Sequence, residues 1–249
     1  MERWTEALER DGYAVLPGLL TAAEVSVVQA GFERLEGLAR TLGDATDLDG
    51  SRFVVQKSPF RLSRVVWCGG AEPALRLGAH PGFLAVAEGC LRRPDVVQLI
   101  QQAHFKLPGD GVDFQWHQDA SNRRYGTTEW VDVDGRGAFV QVAVAVDPMT
   151  EDNGPLRVIP GSHRLGFVAH PTTGVLPAGV VDPDAAVTLT LAPGDAAVFG
   201  PFLVHGSGAN RSDSPRRLFL QGFAAPGANR RVYPGCGIGV SRSAGPATG

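Results

Sequence analysis

The chain is poor in lysine and cysteine and has no long apolar run. Lys57 and Lys106 are the only lysines in 249 residues, and the formal net charge is −3. This charge gives no case for binding nucleic acid or an anionic membrane. Cys68, Cys90 and Cys236 are odd in number and form no CxxC pair. They argue against a disulfide scaffold or a zinc site and favour a reduced intracellular protein.

The hydropathy of the chain points away from membranes and secretion. No window is apolar over the length of a membrane span, and the N-terminal Met1-Glu2-Arg3 is charged at once, unlike a secretion signal. We therefore expect a cytoplasmic protein with no nucleic-acid or membrane partner. Residues 1–225 are expected to form a single domain, and the Gly/Pro-rich residues 226–249 a loosely held C-terminal tail.

Helical signals lie in the N-terminal part. Thr21-Ala22-Ala23-Glu24 has the pattern of a capping box, and apolar residues recur at a 3–4 spacing from Val25 to Leu42, which predicts a helix with one buried stripe. A second helix is predicted over Pro81–Leu91, with proline in its first turn. Gly12–Leu16 reads as a strand that Pro17-Gly18 ends, and residues 43–51 read as a loop.

Beyond residue 96 the pattern changes to short β-like runs separated by Gly, Pro and Asp turns. Many strands without intervening helices favour an antiparallel barrel or jelly roll, and the N-terminal helices would cover one of its sheets. The fold class predicted is therefore mainly β. The runs are Val96–Lys106, Phe114–His117, Ala138–Val146, Leu156–Ile159, Val187–Leu191, Ala196–Phe199 and Arg217–Phe223.

An H-x-D triplet carries the chemistry. His117 and Asp119 lie two positions apart, so on extended chain their side chains point the same way. His205 follows 88 positions downstream, in the run His205-Gly206-Ser207. Two imidazoles and one carboxylate form the facial triad of non-haem Fe(II) oxygenases, which leaves three positions on the metal for other ligands. We predict that these three residues bind iron.

Three further segments accompany the triad. Residues 152–163 run Asp-Asn-Gly through a strand to Pro-Gly-Ser-His, Pro193-Gly194-Asp195 forms a tight turn, and Arg216 follows His205 by eleven positions. Together with Trp116-His117-Gln118-Asp119, these segments resemble the phytanoyl-CoA dioxygenase family. The resemblance extends from about Asp11 to Phe223, and it is the combination of motifs that is specific.

The resemblance implies a double-stranded β-helix, a cupin-like jelly roll, that uses Fe(II), 2-oxoglutarate and O₂. It makes His117, Asp119 and His205 the iron ligands and assigns the distal carboxylate of 2-oxoglutarate to Arg216, with a hydrogen bond from Ser207. A guanidinium suits that role because its rigid fork matches a carboxylate.

Two assignments near the cosubstrate stay open at this point. Gln101 and Gln102 both qualify as the strand residue that contacts the cosubstrate beside the metal, and their side chains must point in opposite directions. We favour Gln102. Arg217 would replace Arg216 if the register of the last strand were shifted by one residue.

The substrate is expected to be a small organic molecule. Residues 120–137 follow the H-x-D triplet and contain two adjacent arginines, and this segment is either part of the mouth of the site or an ordinary solvated loop. As candidate substrate contacts we select Arg124, Tyr125 and Trp130. Hydroxylation in bacterial biosynthetic tailoring is the expected role.

Other reactions and another class of protein are alternatives to this role. The same cofactors support desaturation, epimerisation or cyclisation, depending on how the substrate is placed. Halogenating relatives replace the carboxylate ligand with a small residue, so Asp119 argues against halogenation. A non-catalytic ligand-binding or sensor barrel would have lost part of the set His117, Asp119, His205 and Arg216. A cupin-type metalloenzyme without a cosubstrate would not need the arginine.

Overall fold

The computed structural model describes residues 3–243; Met1, Glu2 and residues 244–249, the end of the predicted tail, lie outside the described residues. The described helices are α1 Arg3–Asp11, α2 Ala22–Thr41, α3 Pro81–Leu91 and α4 Asp119–Asn122. The described strands are β1 Tyr13–Leu16, β2 Asp47–Leu48, β3 Ser51–Lys57, β4 Phe60–Val66, β5 Asp95–Lys106, β6 Phe114–His117, β7 Phe139–Ala145, β8 Arg157–Val158, β9 Val187–Thr188, β10 Ala196–Phe199, β11 His205–Ser207, β12 Arg216–Ala224 and β13 Val240–Ser243.

Two antiparallel sheets form the body of the protein. The major sheet has the order β1-β10-β7-β12-β5-β4-β3-β2, and β13 pairs with β5 outside this path. The minor sheet has the order β6-β11-β8-β9. Neighbouring strands in the sheets are mostly far apart in sequence, as in a jelly roll. The predicted mainly β fold class is confirmed.

The long helices cover one face of the major sheet. The buried stripe of α2 includes Val28, Phe32 and Leu35, and the Phe32 ring packs against Phe105 and Phe219 of the sheet. The predicted capping box is present, since Thr21 and Glu24 bond to each other through both backbone and side chains. No described helix is both long and apolar enough to cross a bilayer.

The other face of the major sheet packs against the minor sheet. Apolar side chains of β7, β10 and β12 meet those of β8 in a second, smaller core. The turn at Gly194 fixes one edge: its φ is +91°, and a Cβ there would lie 2.5 Å from the carbonyl oxygen of Leu20. A side chain at this position would therefore collide with the backbone, which accounts for glycine in the turn.

Two parts of the fold differ from the sequence analysis. No strand was predicted over residues 52–66, yet β3 and β4 form a hairpin that extends the major sheet beside β5. Residues 226–249 were expected to be loosely held, but within the described part β13 pairs with β5, and Ala228 and Tyr233 are buried. Backbone pairing with a distant strand holds this segment in place, although its apolar content is low.

The last long strand places two adjacent arginines on opposite faces of the major sheet. Arg217 points toward the helices, where its guanidinium makes two bonds of 2.8 and 2.7 Å to the Asp147 carboxylate. Both side chains are about nine-tenths buried. The pair thus joins the start of β12 to the chain just after β7.

Arg217→Met is expected to lower the free energy of unfolding by about 3 kcal/mol, because the Asp147 carboxylate would stay buried without its partner. Urea unfolding followed by circular dichroism measures this. Arg40→Met is the control, since Arg40 forms an exposed pair with Glu36 on α2, and its loss should cost less than about 0.5 kcal/mol. A loss below about 1 kcal/mol for Arg217→Met would contradict the assigned role of the pair.

Candidate metal centre and cosubstrate pocket

A cavity of about 270 Å³ opens between the two sheets. The inward faces of β4, β5, β7 and β12 form one wall, and β6 and β11 form another. The polar residues that line it are Arg64, Gln102, His104, His117, Asp119, Asn122, Arg123, Gln141, His205, Ser207, Arg216, Arg231 and Tyr233.

The cavity brings the predicted iron ligands together. His205 is paired with His117 in the β6–β11 register, and their ring centroids lie 4.2 Å apart. Asp119 opens α4 directly after β6, and its Oδ1 lies 3.8 Å from His117 Nε2. Ligand atoms of all three residues lie within 4.8 Å of one another. This distance allows a single ion to contact all three.

Hydrogen bonds fix the orientation of both imidazoles. His117 Nδ1 lies 2.7 Å from the carbonyl oxygen of Gln115, and His205 Nδ1 lies 3.0 Å from that of Leu203. A carbonyl only accepts, so each Nδ1 carries the proton and donates it. Each Nε2 is therefore left with its lone pair free for a metal, which is the usual tautomer of a metal-binding histidine.

The residue between the ligands in the triplet anchors the segment. Gln118 is fully buried and points away from the metal ligands. Its amide nitrogen donates to the carbonyls of Gly166 and Phe202 at 2.8 and 2.7 Å, and its oxygen accepts from the backbone of Val168 and Ala169. Both the amide nitrogen and the amide oxygen of Gln118 therefore have hydrogen-bond partners, and these bonds fix the backbone between His117 and Asp119.

The protonation states suit a divalent cation. Burial and the neighbouring His117 lower the pKa of His205 to about 4, so this ring is neutral near pH 7. Burial alone would raise the pKa of Asp119, but electrostatic interactions with His205, His117 and Arg123 outweigh it and lower that pKa, so the carboxylate is ionised. Two imidazole nitrogens and a carboxylate are the donor set that fits Fe(II) with open positions.

Arg216 lies in the same cavity, and its surroundings suit the binding of an anion. Its side chain is 1% exposed, and Nη2 donates to the carbonyl oxygen of Gly154 at 2.8 Å. Its Nε has no hydrogen-bond partner among the described residues. Burial lowers the pKa of Arg216 to about 9, yet the side chain remains charged near pH 7. A buried guanidinium with an unused donor fits the distal carboxylate of a dicarboxylic acid.

Lys106, which the sequence analysis did not select, lies behind this pocket. It is fully buried, and its Nζ lies 2.6 Å from Ser207 Oγ and 3.0 Å from the Ser207 carbonyl oxygen; the Gly208 carbonyl is a further partner. Ser207 lines the cavity, as expected for a cosubstrate contact. Lys106 fixes the hydroxyl of Ser207 and the end of β11. The sequence could have indicated Lys106, because it follows Gln102 by four residues on β5 and so lies on the same face of the strand.

The side chains of Gln101 and Gln102 point to opposite faces of β5. Gln102 lines the cavity, with its Oε1 2.8 Å from His104 Nε2. Gln101 points to the other face, where its side chain accepts from the backbone of Gly69. Gln102 is therefore the one that faces the metal ligands.

The three selected substrate contacts do not line the cavity. Arg124 points outward to Glu129, Tyr125 packs between Phe167 and Phe202, and Trp130 is buried against Phe139. The chain turns after α4, so that Asn122 and Arg123 face the cavity instead.

Residues from the C-terminal segment complete this side of the cavity, which the sequence analysis did not foresee. Arg231, Tyr233 and Pro234 line it. The Tyr233 hydroxyl lies 3.4 Å from the carbonyl oxygen of Asn122, so the segment rests on the turn after the H-x-D triplet.

The sequence profile of the phytanoyl-CoA dioxygenase family matches residues 8–218. The chain belongs to this family. It is 28% identical over 236 residues to an L-proline trans-4-hydroxylase from Streptomyces griseoviridis, covering 85% of this chain and 81% of the relative. It is 29% identical over 236 residues to an ectoine dioxygenase from Sphingopyxis alaskensis, covering 86% and 72%.

Solved structures of similar proteins bear on the fold and the cofactors. EctD from S. alaskensis, in complex with 2-oxoglutarate and 5-hydroxyectoine, aligns with a TM-score of 0.72 at 27% identity, over 90% of this chain and 76% of EctD. The epimerase SnoN, in complex with Fe³⁺, α-ketoglutarate and nogalamycin RO, shares the fold, with a TM-score of 0.69 at 23% identity over 89% and 82%. The predicted enzyme class, an Fe(II)- and 2-oxoglutarate-dependent dioxygenase, is confirmed at the level of this family.

The buried Lys106 should give stability a distinct pH dependence. Burial and the Arg216 charge lower the pKa of Lys106 from 10.5 to about 6. Between these values the unfolded chain binds a proton that the folded chain lacks, so the free energy of unfolding rises with pH, by up to about 1.4 kcal/mol per unit. Lys106→Met removes this contribution.

The measurement is urea unfolding of wild type and Lys106→Met at pH 7 and pH 9. The stability of wild type relative to the variant should increase between the two values. If wild type and Lys106→Met differ in free energy of unfolding by the same amount at both pH values, Lys106 is still protonated in the folded protein at pH 9. This result would contradict the lowered pKa.

Proposed function

We propose that this member of the family hydroxylates a small organic molecule in bacterial biosynthetic tailoring, with Fe(II), 2-oxoglutarate and O₂. The observation that carries the proposal is the shared cavity: the triad His117, Asp119 and His205 and the buried Arg216 line the same space. Two relatives support this outcome, since one is named L-proline trans-4-hydroxylase and EctD is solved with 2-oxoglutarate and 5-hydroxyectoine.

Each residue of the cavity has a stated role in this proposal. His117, Asp119 and His205 would hold the iron, which, when bound, activates O₂ with electrons from the decarboxylation of 2-oxoglutarate. Arg216 would bind the distal carboxylate of 2-oxoglutarate, and the Ser207 hydroxyl would add a hydrogen bond. Gln102 would contact the cosubstrate beside the metal.

The size and lining of the cavity favour a small substrate. A volume of about 270 Å³ must hold both the cosubstrate and the reacting part of the substrate, and drug-sized ligands alone occupy pockets of roughly 300–1,000 Å³. Leu156, Phe199 and Leu218 line part of the wall. Such apolar side chains exclude water from the reacting groups and so limit unproductive side reactions.

Iron binding can be tested separately from turnover. Anaerobic addition of Fe(II) and 2-oxoglutarate to wild type should give the weak visible charge-transfer absorption of an iron-chelated keto acid. His117→Ala and His205→Ala should each abolish it, because two remaining ligands do not hold iron in an open facial site. His104→Ala is the control, since His104 lines the cavity but lies outside the triad. A band that persists in both triad variants would refute the ligand assignment.

The two adjacent arginines provide a test of the cosubstrate pocket. Arg216→Met should raise the Kd of 2-oxoglutarate more than a hundredfold, because a bidentate, charge-assisted contact in a dry pocket is worth roughly 3 kcal/mol. Arg217→Met, measured where it remains folded, should leave the Kd nearly unchanged. Isothermal titration calorimetry with the metal-loaded, anaerobic proteins gives both values. An exchange of the two phenotypes would mean that Arg217 contacts the cosubstrate.

A further inference from the structure

Three arginines that the proposed cofactors leave unused line the same cavity. They are Arg64 on β4, Arg123 after α4 and Arg231 in the C-terminal segment, and we refer to them as the arginine cluster. Among the described residues that line the cavity, Asp119 is the only carboxylate. The lining is therefore strongly cationic, although the whole chain carries a formal charge of −3.

Arg123 is the most deeply placed member of the cluster. It is 6% exposed, and neither Nε nor Nη1 has a hydrogen-bond partner among the described residues. Its guanidinium lies 5.0 Å from the ring centroids of both Phe139 and Tyr233, and these rings hold it in place. A buried cation with unused donors is costly unless a further partner satisfies it.

The other two members face the cavity without any anionic partner in the described part of the chain. Arg231 lies 5.2 Å from the ring centroid of Tyr233, and its Nη1 donates only to the carbonyl oxygen of Asn122. Arg64 is opposite His104 in the β4–β5 register, and no hydrogen bond or ion pair to a described residue holds its side chain. Arg124 provides the contrast, since it lies outside the cavity and is paired with Glu129.

The charges of the cofactors do not balance the cluster. Fe(II) and the two carboxylates of 2-oxoglutarate cancel each other, and the Asp119 carboxylate balances one of the four arginines that line the cavity. Within the described lining of the cavity, three guanidinium charges then remain without an anion. Because guanidinium groups bind carboxylate and phosphate through paired hydrogen bonds, this surplus identifies a class of ligand.

We propose that the substrate of this site carries an oxyanion, a carboxylate, sulfonate or phosphate, and that the arginine cluster binds it. This deepens the proposed function and rests on it. The cluster would hold the charged end of the substrate and so direct another part of the molecule toward the metal. Fixing the orientation in this way determines which carbon is oxidised.

Isothermal titration calorimetry with inorganic phosphate tests the proposal without iron or 2-oxoglutarate. The metal-free Arg216→Met protein is used at low ionic strength, so that neither the metal nor Arg216 binds the probe. It should still bind one phosphate per chain, whereas trimethyl phosphate, an uncharged ester, should not bind. Wild type in the same titration should bind two phosphates, which covers the case in which Arg216→Met does not fold.

Variants then locate the phosphate. Arg123→Met and Arg64→Met should each raise its Kd at least tenfold, and methionine keeps much of the packing volume of the aliphatic stem. Arg124→Met should leave the Kd unchanged. The proposal is overturned if no phosphate binds beyond Arg216, if the ester binds equally well, or if the cluster variants bind like the control. The proposed function is judged by the charge-transfer absorption, so the two failures are distinguishable.

Discussion

The antiparallel register of β6 and β11 determines whether this chain can hold a metal. It places His205 opposite His117, although 88 positions separate them in sequence. A slip of one residue would turn one imidazole to the other face of the minor sheet. Gln118 and the two Nδ1 hydrogen bonds hold the side chains once the register is set. Arg216 and the arginine cluster line the cavity whose wall this pairing forms.

The two adjacent arginines of β12 have different tasks, since one contributes to folding and the other is available to bind a ligand. Strand alternation places Arg217 on the helix side, where it pairs with Asp147, and Arg216 in the cavity, where the Gly154 carbonyl is its one hydrogen-bond partner among the described residues. The first arrangement contributes to folding, whereas the second leaves a buried cation incompletely satisfied until an anion binds. Strained or under-satisfied groups of this kind are typical of binding sites.

Elements that their own residues mark in the sequence have the predicted bounds. The helix Pro81–Leu91 and the strands Phe114–His117 and Ala196–Phe199 have the predicted bounds because proline, turn residues and apolar periodicity mark them directly. The H-x-D triplet and the resemblance to the phytanoyl-CoA dioxygenase family predicted that His117, Asp119, His205 and Arg216 belong to one site, and all four line one cavity. The β3–β4 hairpin and β13 were missed because pairing with distant strands, not their own composition, stabilises them. Arg64 and Arg231 were missed for the same reason, since their place at the cavity depends on those elements.

The C-terminal segment gives the cavity a wall that is separate from the catalytic barrel. The family match ends at residue 218, whereas Arg231 and Tyr233 lie beyond it and are held by the pairing of β13 with one end of β5. Arg64 and Arg123 lie inside the matched region, so Arg231 is the one member of the arginine cluster that the segment beyond it supplies. This wall can vary in sequence without any change to the proposed iron ligands, so likeness across the matched region leaves part of the cavity lining undetermined.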